Sequence, residues 1–110
     1  MVETSNIEIV NPKHIIFVHT YPFQKNGVDN IGINIDLVGE ETIYMNFTDK
    51  KDAITSLSEI YSSISHNQPL FVIQYHRDCY GKAVKSDKAV VGGITLNTVQ
   101  EALKNLKVNK

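Results

Sequence analysis

The sequence predicts an α+β protein with a single, mostly antiparallel sheet of about five strands and two helices packed on one face. Apolar and polar residues alternate with period two through residues 31–37 and 43–47, on either side of a turn at residues 39–40. Two alternating runs joined by a short turn are typical of a β-hairpin. From residue 49 the period changes to the three-and-four spacing of a helix, and a second helical pattern appears near the end of the chain.

The first strand is predicted over residues 14–21, which are rich in β-branched and aromatic side chains and lie between two prolines. Residues 22–30 have a coil-like composition, with a strong turn signal at residues 25–27. In the hairpin that follows, we expect one face of the sheet to be buried. Its core residues would be Ile33, Ile35, Met45 and Phe47.

The first helix is predicted to begin after Asp49, which can cap it, and to end near residues 65–67. Its apolar stripe, expected to face the core, consists of Ala53, Leu57, Ile60 and Ile64, widened by Ile54 and Tyr61. Strand character returns over residues 70–76, and residues 82–91 resemble a second ribbon. Asn97 is the expected N-cap of the second helix, whose apolar residues are Val99, Ala102, Leu103 and Leu106.

The element order is therefore β-β-β-α-β-β-α within one domain spanning residues 1–110. We expect residues 1–12 to be a mobile N-terminal segment and residues 107–110 a tail. A single cysteine excludes an internal disulfide and a cysteine-rich zinc site. No apolar run approaches the length of a membrane span and no signal peptide is visible, so a soluble, cytoplasmic protein without membrane contact is expected.

Two features of the sequence suggest self-association. Nine acidic and four basic residues precede Phe71, whereas three acidic and seven basic residues lie from Phe71 onward, so the two halves could attract each other, within one molecule or between two copies. The polar face of the first helix carries small hydroxyl side chains where an exposed face normally carries Lys and Glu. We therefore expect Thr55, Ser58 and Ser62 to lie in a subunit interface. An ordinary solvated polar face is the alternative interpretation.

Residues 75–82 hold the highest density of chemically active side chains. The candidate ligand-binding residues are Tyr75, His76, Arg77, Tyr80 and Lys82, because aromatic rings and cations together suit a base and its phosphate. A solvated basic ribbon is the alternative. Cys79 could act as a nucleophile only if a turn brought His76 to it, so a small buried hydrophobic residue is the favoured interpretation.

No convergent set of His, Asp or Glu is visible, so neither a metal nor a cofactor is predicted. The favoured function is a small non-enzymatic binding or regulatory protein that acts as a homo-oligomer, from a bacterium or a phage. The alternatives are a protein that binds a nucleotide or phosphorylated small molecule through residues 75–82, and a Cys79-dependent enzyme. Besides itself, the expected partner is a nucleotide-like ligand or another protein. The slightly acidic charge argues against long nucleic acid.

Overall fold

The computed structural model describes residues 5–75 and 87–104 and confirms the α+β class. In chain order its elements are β1 (Ser5–Val10), a 3₁₀ turn (Pro12–His14), β2 (Ile15–Lys25), β3 (Val28–Leu37), β4 (Glu41–Phe47), α1 (Lys50–His66), β5 (Leu70–Tyr75), β6 (Lys88–Val91) and α2 (Leu96–Lys104).

The strands form two antiparallel three-stranded sheets, in the orders β2–β3–β4 and β1–β5–β6. The expectation of one sheet is therefore corrected to two. The sequence analysis placed no strand in residues 1–12, yet β1 pairs along its whole length with β5. In β1, Ile7 and Ile9 alternate with Glu8. This run is too short to be recognised as a strand from its periodicity alone.

The two sheets meet where β4 passes the ends of β5 and β6. The Asp87 amide donates to the Asn46 carbonyl at 3.2 Å, and the Asn46 amide donates to Asp87 Oδ2 at 3.2 Å. The Gln74 side-chain amide donates to the Tyr44 carbonyl at 2.7 Å. Beyond this junction α1 packs against β6 and also reaches β3, β4 and β5. The sheets are thus joined at β4, and α1 contacts both of them.

The β2–β3 hairpin is longer than the sequence suggested. Asn26 and Gly27 both have positive φ, 54° and 77°, as a two-residue turn between twisted strands requires. Residues 22–30 are therefore strand ends around this turn rather than coil. Pro22 fits within β2 because β2 is an edge strand, where its missing amide costs no bond to a neighbouring strand.

The core lies between the inner face of β2–β3–β4, the helix α1 and the inner residues of β5 and β6. The predicted burial of Ile33, Ile35, Met45 and Phe47 is confirmed, since none of them exposes any side-chain surface. The remaining members of this cluster are Val10, Ile43, Ala53, Ile60, Leu70, Val72 and Ala89.

Both predicted ends of α1 are confirmed. The Lys51 amide donates to Asp49 Oδ1 at 2.8 Å, and Asn67 ends the helix in the left-handed conformation at φ 51°. The buried face, however, consists of Ala53, Ser56, Ile60 and Ser63. The expected burial of Leu57 and Ile64 is wrong, because the helix is rotated so that hydroxyl side chains, and not these two, face the protein.

The second helix begins two residues earlier than expected. Its N-cap is Thr95 and not Asn97, since Thr95 Oγ1 accepts a hydrogen bond from the Thr98 amide at 3.3 Å. Ala102 is buried on α2, and α2 contacts β1. Ile73 is also buried outside the main core, on the face of β5 opposite Val72. Among the described contacts, α2 packs at the β1 edge of the β1–β5–β6 sheet and α1 packs against the β6 edge. The expected placement of both helices on one face stays a prediction.

Candidate functional site

The buried hydroxyl face of α1 satisfies the free edge of β6. Ser56 Oγ accepts a hydrogen bond from the Ala89 amide at 3.2 Å, and Glu59 Oε2 accepts one from the Val91 amide at 3.2 Å. Ser63 Oγ donates to the Gln68 carbonyl just after the helix. An edge strand that a helix covers cannot pair with another chain. The unusual serine content of α1 thus has an internal role that composition alone could not reveal.

The predicted interface residues lie at three different places along α1. Thr55 is exposed and donates to the Lys51 carbonyl at 3.0 Å. Ser62 is half-buried and lies beside the His66 ring. Ser58 lines an apolar groove next to the helix. Their role in a subunit interface stays a prediction.

That groove is a concave surface lined almost wholly by apolar side chains. Four large side chains of α1 lie along it, with exposed fractions from 37% to 72%. We call these four the helix stripe: Ile54, Leu57, Tyr61 and Ile64. Val18 of β2 and Ser58 complete the groove, whose volume is about 490 Å³. The sequence identified all four residues of the helix stripe as one apolar face but assigned that face to the core.

A second concave surface is acidic. It lies between α1 and the start of β6, and it has a volume of about 550 Å³. Three of its four carboxylates are already engaged in the fold: Asp49 caps α1, Glu59 binds β6, and Asp87 joins the sheets. The fourth is Asp52, in the first turn of α1. No group of three or more metal-ligating side chains occurs within residues 5–75 and 87–104.

The outer face of the β2–β3–β4 sheet carries a row of rings. Directly paired residues of antiparallel strands share a face, and here that face is opposite the core. We call the rings the aromatic face: Phe17, His19, Tyr21, Phe23 and Tyr44. The Phe17 and His19 rings stack at 4.2 Å between centroids, and those of Tyr21 and Phe23 are 5.7 Å apart.

Gly32 fixes the position of one of these rings. A Cβ at this position would collide with the ring of Tyr21, so only glycine leaves room for the ring on the backbone of β3. The Tyr21 hydroxyl then donates to Asn34 Oδ1 at 3.3 Å. Tyr44, on the neighbouring strand β4, is directly paired with Asn34 and is 62% exposed.

Polar contacts at the other end of the aromatic face act on one carboxylate. Asp36 Oδ2 lies 2.8 Å from His19 Nε2, and Asp36 Oδ1 accepts a hydrogen bond from Thr42 Oγ1 at 3.0 Å. The hydrogen bond with His19, followed by that from Thr42, lowers the pKa of Asp36 below its usual value.

Most of the candidate ligand-binding segment lies outside the described residues. This applies to His76, Arg77, Tyr80 and Lys82, and also to Cys79; for Tyr75 the structure describes only the strand position at the end of β5. The described residues on either side, Gln74 and Asp87, both bond to β4. Nucleotide binding and thiol chemistry at this segment therefore stay predictions, which a thermal-shift screen with nucleotides and thiol-reactivity mapping would test.

Comparisons with models of known protein families, with curated proteins and with solved structures find no match to this chain. Within the described ranges, neither helix has the length and apolar character that crossing a membrane requires. The helix stripe and the aromatic face both expose large apolar side chains to solvent.

Proposed function

We propose that the protein is a non-enzymatic binding protein of the cytoplasm that works as a homodimer, with the helix stripes of two copies packed against each other. The observation that carries this proposal is the presence of four large apolar side chains on one face of α1 that no described element covers. Contiguous apolar patches of this kind on soluble domains commonly mark interaction sites.

The spacing of the helix stripe fits a second copy of the same helix. Ile54, Leu57, Tyr61 and Ile64 follow one another at intervals of three, four and three residues. This is the spacing of the a and d positions in a coiled-coil seam, where each side chain inserts between four residues of a facing helix. Ser58, next to the seam, is small enough to let a second backbone approach. A two-fold axis would apply the same contacts twice.

The ends of α1 favour an antiparallel arrangement. Lys50 and Lys51 lie at its first turn, and His66 is its last residue. Asp49 and Asp52 lie at the same end and balance the charge of the two lysines. The helix dipoles therefore decide: in an antiparallel pair the positive N-terminus of each helix lies beside the negative C-terminus of its partner, whereas a parallel pair places like ends together.

Burial of the helix stripe supplies the driving force. Fully burying one large apolar side chain contributes roughly 1.5–3 kcal/mol, and each copy contributes four partly exposed ones. A single 17-residue helix covers less surface than the roughly 800 Å² per partner of a standard interface, so a moderate affinity is expected. Association should therefore depend on protein concentration.

Sedimentation equilibrium over a range of concentrations tests the proposal. The wild-type protein should rise from the 12.4 kDa monomer towards twice that mass. Tyr61→Glu places a charge in the centre of the seam and should hold the protein at the monomer mass, and Ser58→Lys should weaken association. Tyr44→Glu, which changes an equally exposed tyrosine on the opposite side of the sheet, is the matched control and should dimerise normally.

Two results would overturn the proposal. One is a wild-type protein that stays at 12.4 kDa up to millimolar concentration. The other is a dimer that Tyr61→Glu leaves intact. Circular dichroism of each variant checks that loss of association does not follow from loss of folding.

A further inference from the structure

The aromatic face is a second surface, separate from the helix stripe. We propose that it binds a short neutral oligosaccharide. This inference does not depend on dimerisation, because α1 packs on the inner side of the β2–β3–β4 sheet and the aromatic face is on the outer side.

Four of the five rings of the aromatic face are in contact with neighbouring groups before any ligand arrives. Tyr21 lies on Gly32, is bonded to Asn34 and contacts Phe23, while Phe17 and His19 stack on each other. Phe17 nevertheless remains 57% exposed, and Tyr44 is also open to solvent. Rings that are held and exposed offer stacking surface with little loss of side-chain freedom on binding.

The side chains of the aromatic face suit a sugar ring, which is apolar on its two sides and polar at its edge. The π-face of an aromatic ring is electron-rich and attracts the slightly positive C–H bonds of a sugar. The amide of Asn34 lies between Tyr21 and Tyr44, and Asn46 and Thr42 occupy the neighbouring outward positions of β4. Amides and hydroxyls of this kind can exchange hydrogen bonds with sugar hydroxyls.

The charge of the face selects against phosphate-bearing ligands. Lys25, at the hairpin end of β2, is the only lysine or arginine in β2, β3 and β4. The outward carboxylate of Asp36 is bonded to His19. Single-stranded nucleic acid requires a positively charged groove in addition to stacking rings, and this face lacks one. A neutral ligand matches the near balance of charge.

The arrangement of the strands sets the size of the ligand. Along β2 the row of rings runs from Phe17 to Phe23, six residue steps or roughly 20 Å of extended strand. A single sugar ring cannot cover this row, whereas two or three linked rings can. The structure therefore points to an oligosaccharide rather than a monosaccharide.

The test is an NMR titration of the full chain with cellotriose and with maltotriose, up to about 10 mM each. At least one trisaccharide should shift the backbone amides of Asn34 and Tyr44. Tyr44→Ala should weaken binding at least about tenfold, as expected for loss of one stacking ring. Leu96→Ala, which removes a 71% exposed apolar side chain on α2, outside both proposed surfaces, is the control and should bind as the wild type does.

The inference is overturned if neither trisaccharide shifts these amides, or if Tyr44→Ala binds as tightly as the wild type. It is also overturned if an oligothymidylate or an oligolysine peptide shifts the same amides while both sugars leave them unchanged. Repeating the titration with the Tyr61→Glu variant separates the two proposals, because a monomer that still binds sugar supports this inference whatever the fate of the dimer.

Discussion

At the scale of single residues, the outer sheet face is organised by contacts that pair polar groups with rings. His19 stacks on Phe17 and at the same time bonds to Asp36. Asp36 also accepts from Thr42, so both of its oxygens have a partner. A carboxylate whose charged form is hydrogen-bonded twice resists protonation, which is why its pKa is lowered.

We predict that His19→Phe, which keeps a ring but has no hydrogen-bond donor, raises the pKa of Asp36 towards its usual value, because the largest contribution to the shift is the hydrogen bond with His19. A carboxyl-carbon NMR titration measures this pKa directly. Thr42→Val should raise it by a smaller amount. If His19→Phe leaves the titration of Asp36 unchanged, the bond with His19 is not what holds the carboxylate.

The same shift implies a direction for stability. Since the pKa of Asp36 is lower in the folded protein, its contribution is complete above the unfolded value of about 3.9. It is lost as pH falls through the folded value. Asp36→Asn should therefore lose less stability than the wild type as pH falls through this acidic range.

At the scale of elements, the sequence predicts where the helix α1 begins and ends better than it predicts which face of the helix is buried. Asp49 and residues 65–67 gave both ends of α1, since capping is a local property of the backbone. The burial of Leu57 and Ile64 was predicted wrongly because α1 packs beside the edge of β6, where amides need acceptors. The amides that need acceptors belong to a strand about 30 residues away. The apolar periodicity of the helix alone therefore cannot predict which of its faces is buried.

We predict that Ser56→Ala lowers the free energy of unfolding by about 1–3 kcal/mol, because the buried Ala89 amide then loses its acceptor. Ser58→Ala is the matched control, since Ser58 lies on the exposed side of the same helix and should change stability by less than about 0.5 kcal/mol. Urea unfolding of the two variants gives both values. Equal effects would show that Ser56 does not serve as the acceptor for β6.

At the scale of the whole molecule, the α+β class and the β3–β4 hairpin could be predicted, but the division into two sheets could not. Strand pairing between β1 and β5 joins residues about 65 positions apart, and such pairing leaves no trace in a short sequence window. The candidate surfaces could not be predicted from a short sequence window either. Phe17, His19 and Tyr21 lie in the predicted strand and Phe23 in the residues predicted as coil, yet the common outward face of these rings follows only from the register with β3.

The junction between the sheets leads to a last prediction about how the molecule unfolds. Asp87 is buried, and it both donates to and accepts from the backbone of Asn46. Asp87→Ala removes the side-chain acceptor, so the Asn46 amide should exchange with solvent at least about tenfold faster, as expected for a loss of roughly 1–3 kcal/mol.

Amides within the β2–β3 ladder should keep their exchange rates in this variant, because their partners lie in the same sheet. Asp87→Asn is the matched control: it retains a side-chain oxygen that can accept from Asn46 and should give an intermediate rate. Hydrogen exchange followed by NMR resolves these amides individually. If Asp87→Ala instead accelerates exchange equally throughout β2, β3 and β4, Asp87 stabilises the fold as a whole. If it changes nothing at Asn46, the two sheets are joined by their shared packing on α1, and the contact at Asp87 is incidental.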